Sequence, residues 1–378
     1  MLHLESKFRE LLRPEHALNQ LHLDIHPGQR NHVFAIGKPA SLQLEAFLNH
    51  FSDFEFETKL AIAKDGMGVE KTDFEQVLSD HPVISRRSLA AAELLTNKLK
   101  TIGEDDHVIF LVSGGASALI EMPVEGASFE ELQAKHRELL NSGKSIIEMN
   151  RQRMQLSQIK NGGLLQFCKA KKISTIVSID IPNEDPAFVS SGPTLYTQID
   201  ERNPSELKKK QACEGRDHQT HILFSPSKFL GQATQIMGAE AQNLGVLDMK
   251  ESEGIEFHLD HCKASGIYLS GGEITIEVPE SSGRGGRNSH LAASLALRFI
   301  EQNRRFQLYF LASDGDDGSG GISSVFLDSE QLETQDVVLL RKCHQNFDTF
   351  SFFESKNWIL KGGPTANNLM DLRIICLF

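Results

Sequence analysis

The chain of 378 residues has little cysteine, no excess of basic charge and no long apolar run, and each shortage closes a class of function. Its 5 cysteines, Cys168, Cys213, Cys262, Cys343 and Cys376, lie far apart and form no C-x-x-C pair. That pattern excludes a disulfide or zinc framework and suits reduced thiols in the cytoplasm. The 39 Lys+Arg are outnumbered by 51 Asp+Glu, for a net charge of -12. Such a surface repels phosphate backbones and anionic lipids, which disfavours nucleic acid and membranes as partners. It also repels small anions, so an anion site here needs local Lys, Arg and backbone N–H groups. No apolar stretch is long enough to span a bilayer. The opening MLHLESKFRELL is charged within its first turns, unlike a signal peptide, and predicts an amphipathic helix with Leu4, Phe8, Leu11 and Leu12 inward.

Several familiar motifs fail on inspection. LNSGKS (140–145) ends like a phosphate-binding P-loop, but Glu138 stands where the first glycine is needed. No G-x-G-x-x-G follows any strand, as a dinucleotide turn requires. SGGASAL (113–119) is no nucleophile elbow, because Leu119 replaces the second glycine. SDGDDGSGG (313–321) is no EF-hand, since Gly318 and Val325 occupy ligand positions. HLDHC (258–262) lacks a complete zinc spacing and reads as a chance cluster.

What remains is a repeated alternation. Short β-branched runs at 32–36, 107–112, 173–179, 266–269, 306–312 and 358–360 each end in a Gly- or Asp-rich loop. Helical patterns at 88–100, 129–140, 146–160, 227–244 and 288–302 separate many of them. The alternation predicts an α/β protein with largely parallel or mixed sheets. The length predicts two domains, at 1–245 and 246–378, with 197–222 as a polar linker or exposed excursion. Ligands of such sheets bind beyond the carboxyl ends of the strands, where this chain repeatedly places its unusual residues.

Three of those loops are candidate sites. Backbone N–H groups of Ser113, Gly114, Gly115 and Ser117 could hold an anion, although a plain tight turn fits the same residues. GRGGRN (283–288) sets Arg284 and Arg287 in a glycine frame before a helix, where guanidinium forks suit phosphate or carboxylate. The carboxylates of 180–185 and 314–317, Asp180, Asp185, Asp314 and Asp317 among them, offer hard oxygen ligands for Mg2+, and solvated loops fit them equally.

Taken in order, AIGKPA (35–40), HPV (81–83), LVSGGASAL (111–119), LLNSGKSIIEMNRQRMQLSQIKNGGLL (139–165), DIPNEDPAFVSSGPT (180–194), LSGGEITIEV, GRGGRN, SDGDDG and GGPTANNLMDL resemble the type-2 glycerate kinases. The resemblance runs along most of the chain and implies a Rossmann-like N-terminal domain and a C-terminal domain of MOFRL type. It implies an active site in a cleft between them, where ATP and a divalent metal, Mg2+, phosphorylate D-glycerate at the 2-hydroxyl. Carried over by position, the family's functional residues fall on Lys38, Arg287, Glu273, Asp314 and Asn368. The matched segments add Asn150, Arg153, Lys160 and Asn288 as candidate contacts. The departures are Met154, Gln155, Ile179, Asn183, Gly362 and Met370. They leave open a relative acting on another small hydroxy acid, or one that binds without turnover. A hydroxypyruvate reductase is the other alternative, and the missing dinucleotide turn argues against it. A small-molecule substrate is the expected partner, and a homodimer remains open.

Overall fold

Six strands build the first sheet: β1 (Asn31–Ile36), β2 (Thr58–Lys64), β3 (Glu75–Ser79), β4 (His107–Val112), β5 (Lys172–Ser178) and β6 (Asp217–Phe224). In the computed structural model, which describes residues 5–378 except 141, 143–145, 198–202, 280, 319–320, 363–364 and 366, they run in the order β3-β2-β1-β4-β5-β6. Every neighbouring pair is parallel. β1 and β4 are buried along their whole length, as strands covered on both faces must be. The helix α4 (Arg86–Lys100) buries Ala91, Ala92, Leu95 and Leu99 on one stripe. Its start is fixed by Ser85, whose hydroxyl accepts from the Arg87 N–H at 3.0 Å.

The second sheet contains β7 (Ala241–Lys250), β8 (Gly266–Thr275), β9 (Phe306–Ala312), β10 (Ile322–Asp328), β11 (Ile359–Lys361) and β12 (Asp371–Leu377), ordered β11-β10-β9-β12-β8-β7. Only β7 and β8 are parallel among these pairs, so this sheet is mixed and mainly antiparallel. The long helix α11 (Arg287–Glu301) is buried from Asn288 through Leu297. The first helix, α1 (Glu5–Leu11), buries Phe8 and Leu11, and the Phe8 ring lies 5.8 Å from that of Tyr309 in β9. Leu12 is buried as well, while Leu4 lies outside the described residues.

Two compact units result. One holds Ala17–Ile179 and Glu184–Phe224; the other holds Met1–His16, Asp180–Asn183 and Ser225–Phe378. The division at Phe224/Ser225 precedes the expected residue 245. The cause is α9 (Pro226–Met237), whose Leu230 lies against Gly271 of β8 and which therefore belongs with the second sheet. The helix expected over 227–244 stops at Gly238, where φ is 107°, and the chain turns into β7. The expected linker at 197–222 instead contains α8 (Pro204–Cys213) and most of β6. β6 is an edge strand with one neighbour, which explains its polar sequence DHQTHILF. No helix among the described residues is long and apolar enough to cross a membrane.

Candidate active site

In the N-terminal unit the chain leaves β1 toward β2 on one side, while β4 lies on the other. The strand order therefore reverses between β1 and β4, the place where open α/β sheets form a ligand crevice. Gly37-Lys38 follows β1 and Ser113-Gly114-Gly115 follows β4 at this point. The Lys38 N–H donates to the Gly114 carbonyl at 2.9 Å, which locks the two turns together. Gly115 has φ 89°, and a Cβ there would lie 2.7 Å from Cγ of Lys38 and 3.1 Å from Cδ2 of His81. The glycine thus lets both side chains close over the turn.

The charges at this turn are one-sided. Neither Lys38 nor Lys64, at the end of β2, has a carboxylate ion-pair partner among the described residues. Burial, with Lys38 and Lys64 beside it, pulls the His81 imidazole down to about 4, so it is neutral at neutral pH. The Ser113 hydroxyl is buried without a partner, and the N–H groups of Gly114 and Gly115 have no acceptor among the described residues. The Ala116 N–H is already taken by the Ser190 hydroxyl at 2.9 Å, which itself donates to the Ser113 carbonyl at 2.7 Å. Ser190 and Ser191 adopt φ of 52° and 63°, a conformation that costs energy for residues other than glycine. Two cations, free N–H groups and a lone hydroxyl around one turn form an anion cradle. Lys64 and His81 were not expected here. HPV (81–83) was the only sequence signal for His81 and carried no role, and nothing marked Lys64.

In the C-terminal unit a cavity of about 460 Å³ is lined by Arg287, His290, Asp314, Asp316, Asp317 and neighbouring glycines. Arg287 opens α11. Its Nε lies 2.8 Å from Oδ2 of Asp371, and its other edge pairs with Glu273. Its fork is therefore engaged by two protein carboxylates. Behind it, Arg373 is fully buried and donates to the Gly272 carbonyl and the Ser270 hydroxyl. Burial lowers the Arg373 guanidinium to about 10, with Asp371 opposing. Asp314 follows β9, half-buried, and one oxygen accepts from the Asp316 N–H at 3.1 Å. Burial raises its pKa, helped by Asp371 and opposed by the Asp316 N–H and Arg287. A carboxylate so raised is a better proton acceptor.

Asp317 departs from its expected metal role. It is 2% exposed, and its two oxygens accept the N–H groups of Asn288 and Ser289 at 2.7 and 2.8 Å. It caps α11, which sequence could not separate from metal binding, because both uses want a carboxylate beside a glycine turn. Burial and nearby Asp371 push it up to about 7 against those two bonds. Gly286 is required by closeness: a Cβ there would meet the Asp317 carbonyl at 1.5 Å. Asn288 is buried with both ends of its amide unpartnered. Asn368 turns its own loop by accepting from the Met370 N–H at 3.1 Å. Met370 itself is buried at φ 64°, a conformation asparagine tolerates better than methionine.

Other expected contacts are not gathered at either opening. Lys160 is 2% exposed and ion-paired with the fully buried Glu121. Ser157 and His136 surround the same carboxylate. Arg153 is half-buried in this neighbourhood, and its pKa is lowered by burial. Lys160, Glu121, Ser157 and His136 form a buried charge cluster, with Arg153 at its half-buried side. Asn150 lies in α7 (Ile146–Gln155), but its side chain lies outside the described residues, as does most of LNSGKS. Asp185 accepts from the Ala187 N–H at 2.9 Å, and Asp180 is half-buried. His258 is a satisfied core residue: its nitrogens meet the Gly254 carbonyl at 2.6 Å and the Ser270 hydroxyl at 2.8 Å. The larger cavity, about 1180 Å³, opens at the amino ends of β1 and β2. Glu45, Asp53, Glu55, Glu57 and Asp73 outnumber Arg30, Lys59 and Lys71 in its lining, so it suits a phosphorylated ligand less well than the cradle does.

A doubly wound parallel sheet with an anion cradle at its switch point, joined in sequence to a mixed α/β unit with an acidic, arginine-bearing cavity, suits a small-molecule kinase. The particular family follows from comparison. Residues 2–221 match a domain of unknown function, DUF4147, and residues 266–371 match the MOFRL family. The chain is 26% identical to a putative hydroxypyruvate reductase of Agrobacterium vitis, over 91% of this chain and 98% of that protein. It is 27% identical to a glycerate 2-kinase of Picrophilus torridus, over 78% and 75%. A crystal structure of glycerate kinase from Thermotoga maritima superposes with a TM-score of 0.83 at 25% identity, covering 99% of this chain and 97% of that one. The chain belongs to this DUF4147–MOFRL family, the glycerate kinase family.

Proposed function

We propose that the protein transfers the γ-phosphoryl group of ATP to the 2-hydroxyl of D-glycerate. The observation that carries this reading is the cradle of Lys38, Lys64 and the Ser113–Gly115 turn. In a chain of net charge -12, two half-buried lysines without a carboxylate partner among the described residues leave a local positive site that suits an anion. Phosphoryl transfer relies on positioning and charge stabilisation, which such a cradle supplies to the polyphosphate. Neutral His81 can donate one hydrogen bond there without adding charge.

In the C-terminal unit, half-buried Asp314 would orient the glycerate hydroxyl and accept its proton. Arg287, fixed by Asp371, would turn the edge that now meets Glu273 toward an anionic group of the substrate. The hard oxygens of Asp314 and exposed Asp316 suit Mg2+, with Asp180 and Asp185 as further candidates; Asp317 is already committed to its cap. Bound Mg2+ would neutralise charge building on the transferring phosphate. Five buried, unpaired cysteines are the reason we place the reaction in the cytoplasm.

Purified protein should form ADP only when ATP, a divalent cation and D-glycerate are all present, with 31P NMR reporting the 2-phosphate. No glycerate-dependent ADP from folded protein sinks the reading, and full turnover after exhaustive EDTA treatment sinks the metal. A second reading, hydroxypyruvate reduction, is favoured by the strand order, which is that of dinucleotide-binding sheets, and by the names of some relatives. Against it, Pro39 stands where a second glycine would let the pyrophosphate approach. Oxidation of NADH by hydroxypyruvate would revive it.

A further inference from the structure

One cluster of titratable side chains in the C-terminal unit is given no role in this reaction, although its His290 also lines the cavity described above. Glu251 opens α10 (Glu251–His261), His290 and Ser294 lie one turn apart on α11, and His344 lies in the last turn of α12 (Thr334–Gln345). One ligand-capable atom from each of Glu251, His290 and His344 lies within 4.8 Å of the others. His290 Nε2 is 3.4 Å from Oε1 of Glu251. The Ser294 hydroxyl sits between the groups, 2.7 Å from Oε1 of Glu251 and 2.7 Å from Nε2 of His344. The two imidazoles stack with centroids 4.3 Å apart, and Phe347 covers His290 at the same distance.

The charge balance of this cluster suits a cation. His290 is only 4% exposed, and its Nε2 faces Glu251. Glu251 is 23% exposed and has no Lys or Arg ion-pair partner among the described residues; His290 is its only ion-pairing neighbour. The nearby Arg298 and Arg341 are paired elsewhere, with Glu256 and Glu301. Beyond the Ser294 hydrogen bond and its place in the first turn of α10, this half-buried carboxylate has no lysine or arginine partner among the described residues.

We propose that Glu251, His290 and His344 form a binding site for a borderline divalent transition ion, Zn2+ foremost, which ties α10, α11 and α12 together. Two imidazoles and one carboxylate are a recognised zinc donor set, whereas Mg2+ prefers oxygen ligands alone. The site is therefore chemically distinct from the cation that serves ATP. Ligand bonds of about 2.0–2.1 Å in a tetrahedron place donor atoms about 3.3 Å apart. The pair formed by His290 and Glu251 already has that spacing. His344 must draw in by a side-chain rotation, and the Ser294 hydroxyl must swing out of the middle. The ion has a route in, because His290 also lines the cavity of about 460 Å³ and the other two ligands are half-exposed.

The test uses the full chain, stripped with EDTA and desalted, and titrated calorimetrically with ZnCl2 and separately with MgCl2. We expect one Zn2+ per chain, no comparable Mg2+ heat, and a rise in melting temperature with Zn2+, since an ion that binds only the folded state stabilises it. His344→Ala should weaken Zn2+ binding on the order of a hundredfold. It should leave Mg-dependent turnover within about twofold, because His344 is outside the reaction site. Glu251→Gln, which keeps the shape and a hydrogen bond to Ser294, is the second variant should His344→Ala misfold. Absence of Zn2+ binding overturns the proposal. Zn2+ binding that survives in both variants also overturns it, by placing the ion elsewhere. Because binding is read directly, failure here is distinguishable from failure of the kinase reading.

Discussion

Arg287→Lys and Arg284→Lys make the same change three residues apart and should behave very differently. Arg287 spans two carboxylates, with Nε 2.8 Å from Oδ2 of Asp371, an Nη 3.4 Å from Oδ1, and its other edge on Glu273. Asp371 is 1% exposed and Glu273 39%. A lysine keeps the charge but is a single point, so it can serve only one of these carboxylates. The lost charge-assisted bond to buried Asp371 is worth about 1.5–3 kcal/mol. The more exposed pair with Glu273 adds at most about 1 kcal/mol after solvent screening. A loss of about 2–3 kcal/mol corresponds to a melting temperature lower by roughly 4–10 °C for a unit of this size. Turnover should drop roughly tenfold to a hundredfold, because the cationic edge offered to the substrate is no longer held in place. Arg284 is 56% exposed and pairs with Glu354, which places its loss below about 1 kcal/mol. Thermal melts and steady-state ADP formation on both variants decide the matter. If Arg284→Lys is the more damaging, the register across GRGGRN is wrong and the roles of Glu273 and Asp314 fall with it. If Arg287→Lys matches the wild type in both assays, the ion-pair argument itself is refuted.

Lys38→Ala should lower kcat/KM by about 10²–10³, the usual cost of one preorganised charge contact. Its stability should stay within about 0.5 kcal/mol, since Lys38 has no ion pair among the described residues to lose; wild-type turnover would remove it from the site. Lys160→Met should cost about 3–5 kcal/mol, because Glu121, with no exposed surface, is left charged without its ammonium partner. Adding Glu121→Gln should recover most of that loss, and a Lys160→Met protein that melts like the wild type contradicts the buried-pair assignment. Stability should fall as the pH drops below about 6.5. Burial holds His258 at about 3 in the folded chain, so between those values the unfolded chain binds a proton that the folded one refuses. The slope per buried histidine is about 1.4 kcal/mol per pH unit. His258→Gln should make urea-measured stability less steep from pH 6 to 4, and an unchanged slope would show that the proton uptake occurs elsewhere.

The sequence by itself determined the alternation of elements and the loops that carry chemistry. β4, β9 and α6 (Phe129–Leu140) fall on the residues expected, because long apolar runs and strong helical periodicity leave few alternatives. The order of motifs was enough to indicate the glycerate kinase family. Weaker signals were lost. β6 reads as a polar linker because edge strands are half-solvated, and β7 hides behind the helix that precedes it, with Gly245 at φ 91° breaking its pattern. Only tertiary structure decided which charges face a ligand and which satisfy the fold. Lys38 and Lys160 are both lysines in family-like motifs. One stands without a counter-charge at the point where the strand order reverses, and the other is sealed against Glu121. Asp314 and Asp317 share one loop, yet one lines a cavity half-exposed while the other spends both oxygens on the start of α11. The same holds for Glu251, His290 and His344, which are distant in sequence and meet only because α10, α11 and α12 pack side by side. Burial and pairing are properties of the packed chain, and a residue's identity does not encode them.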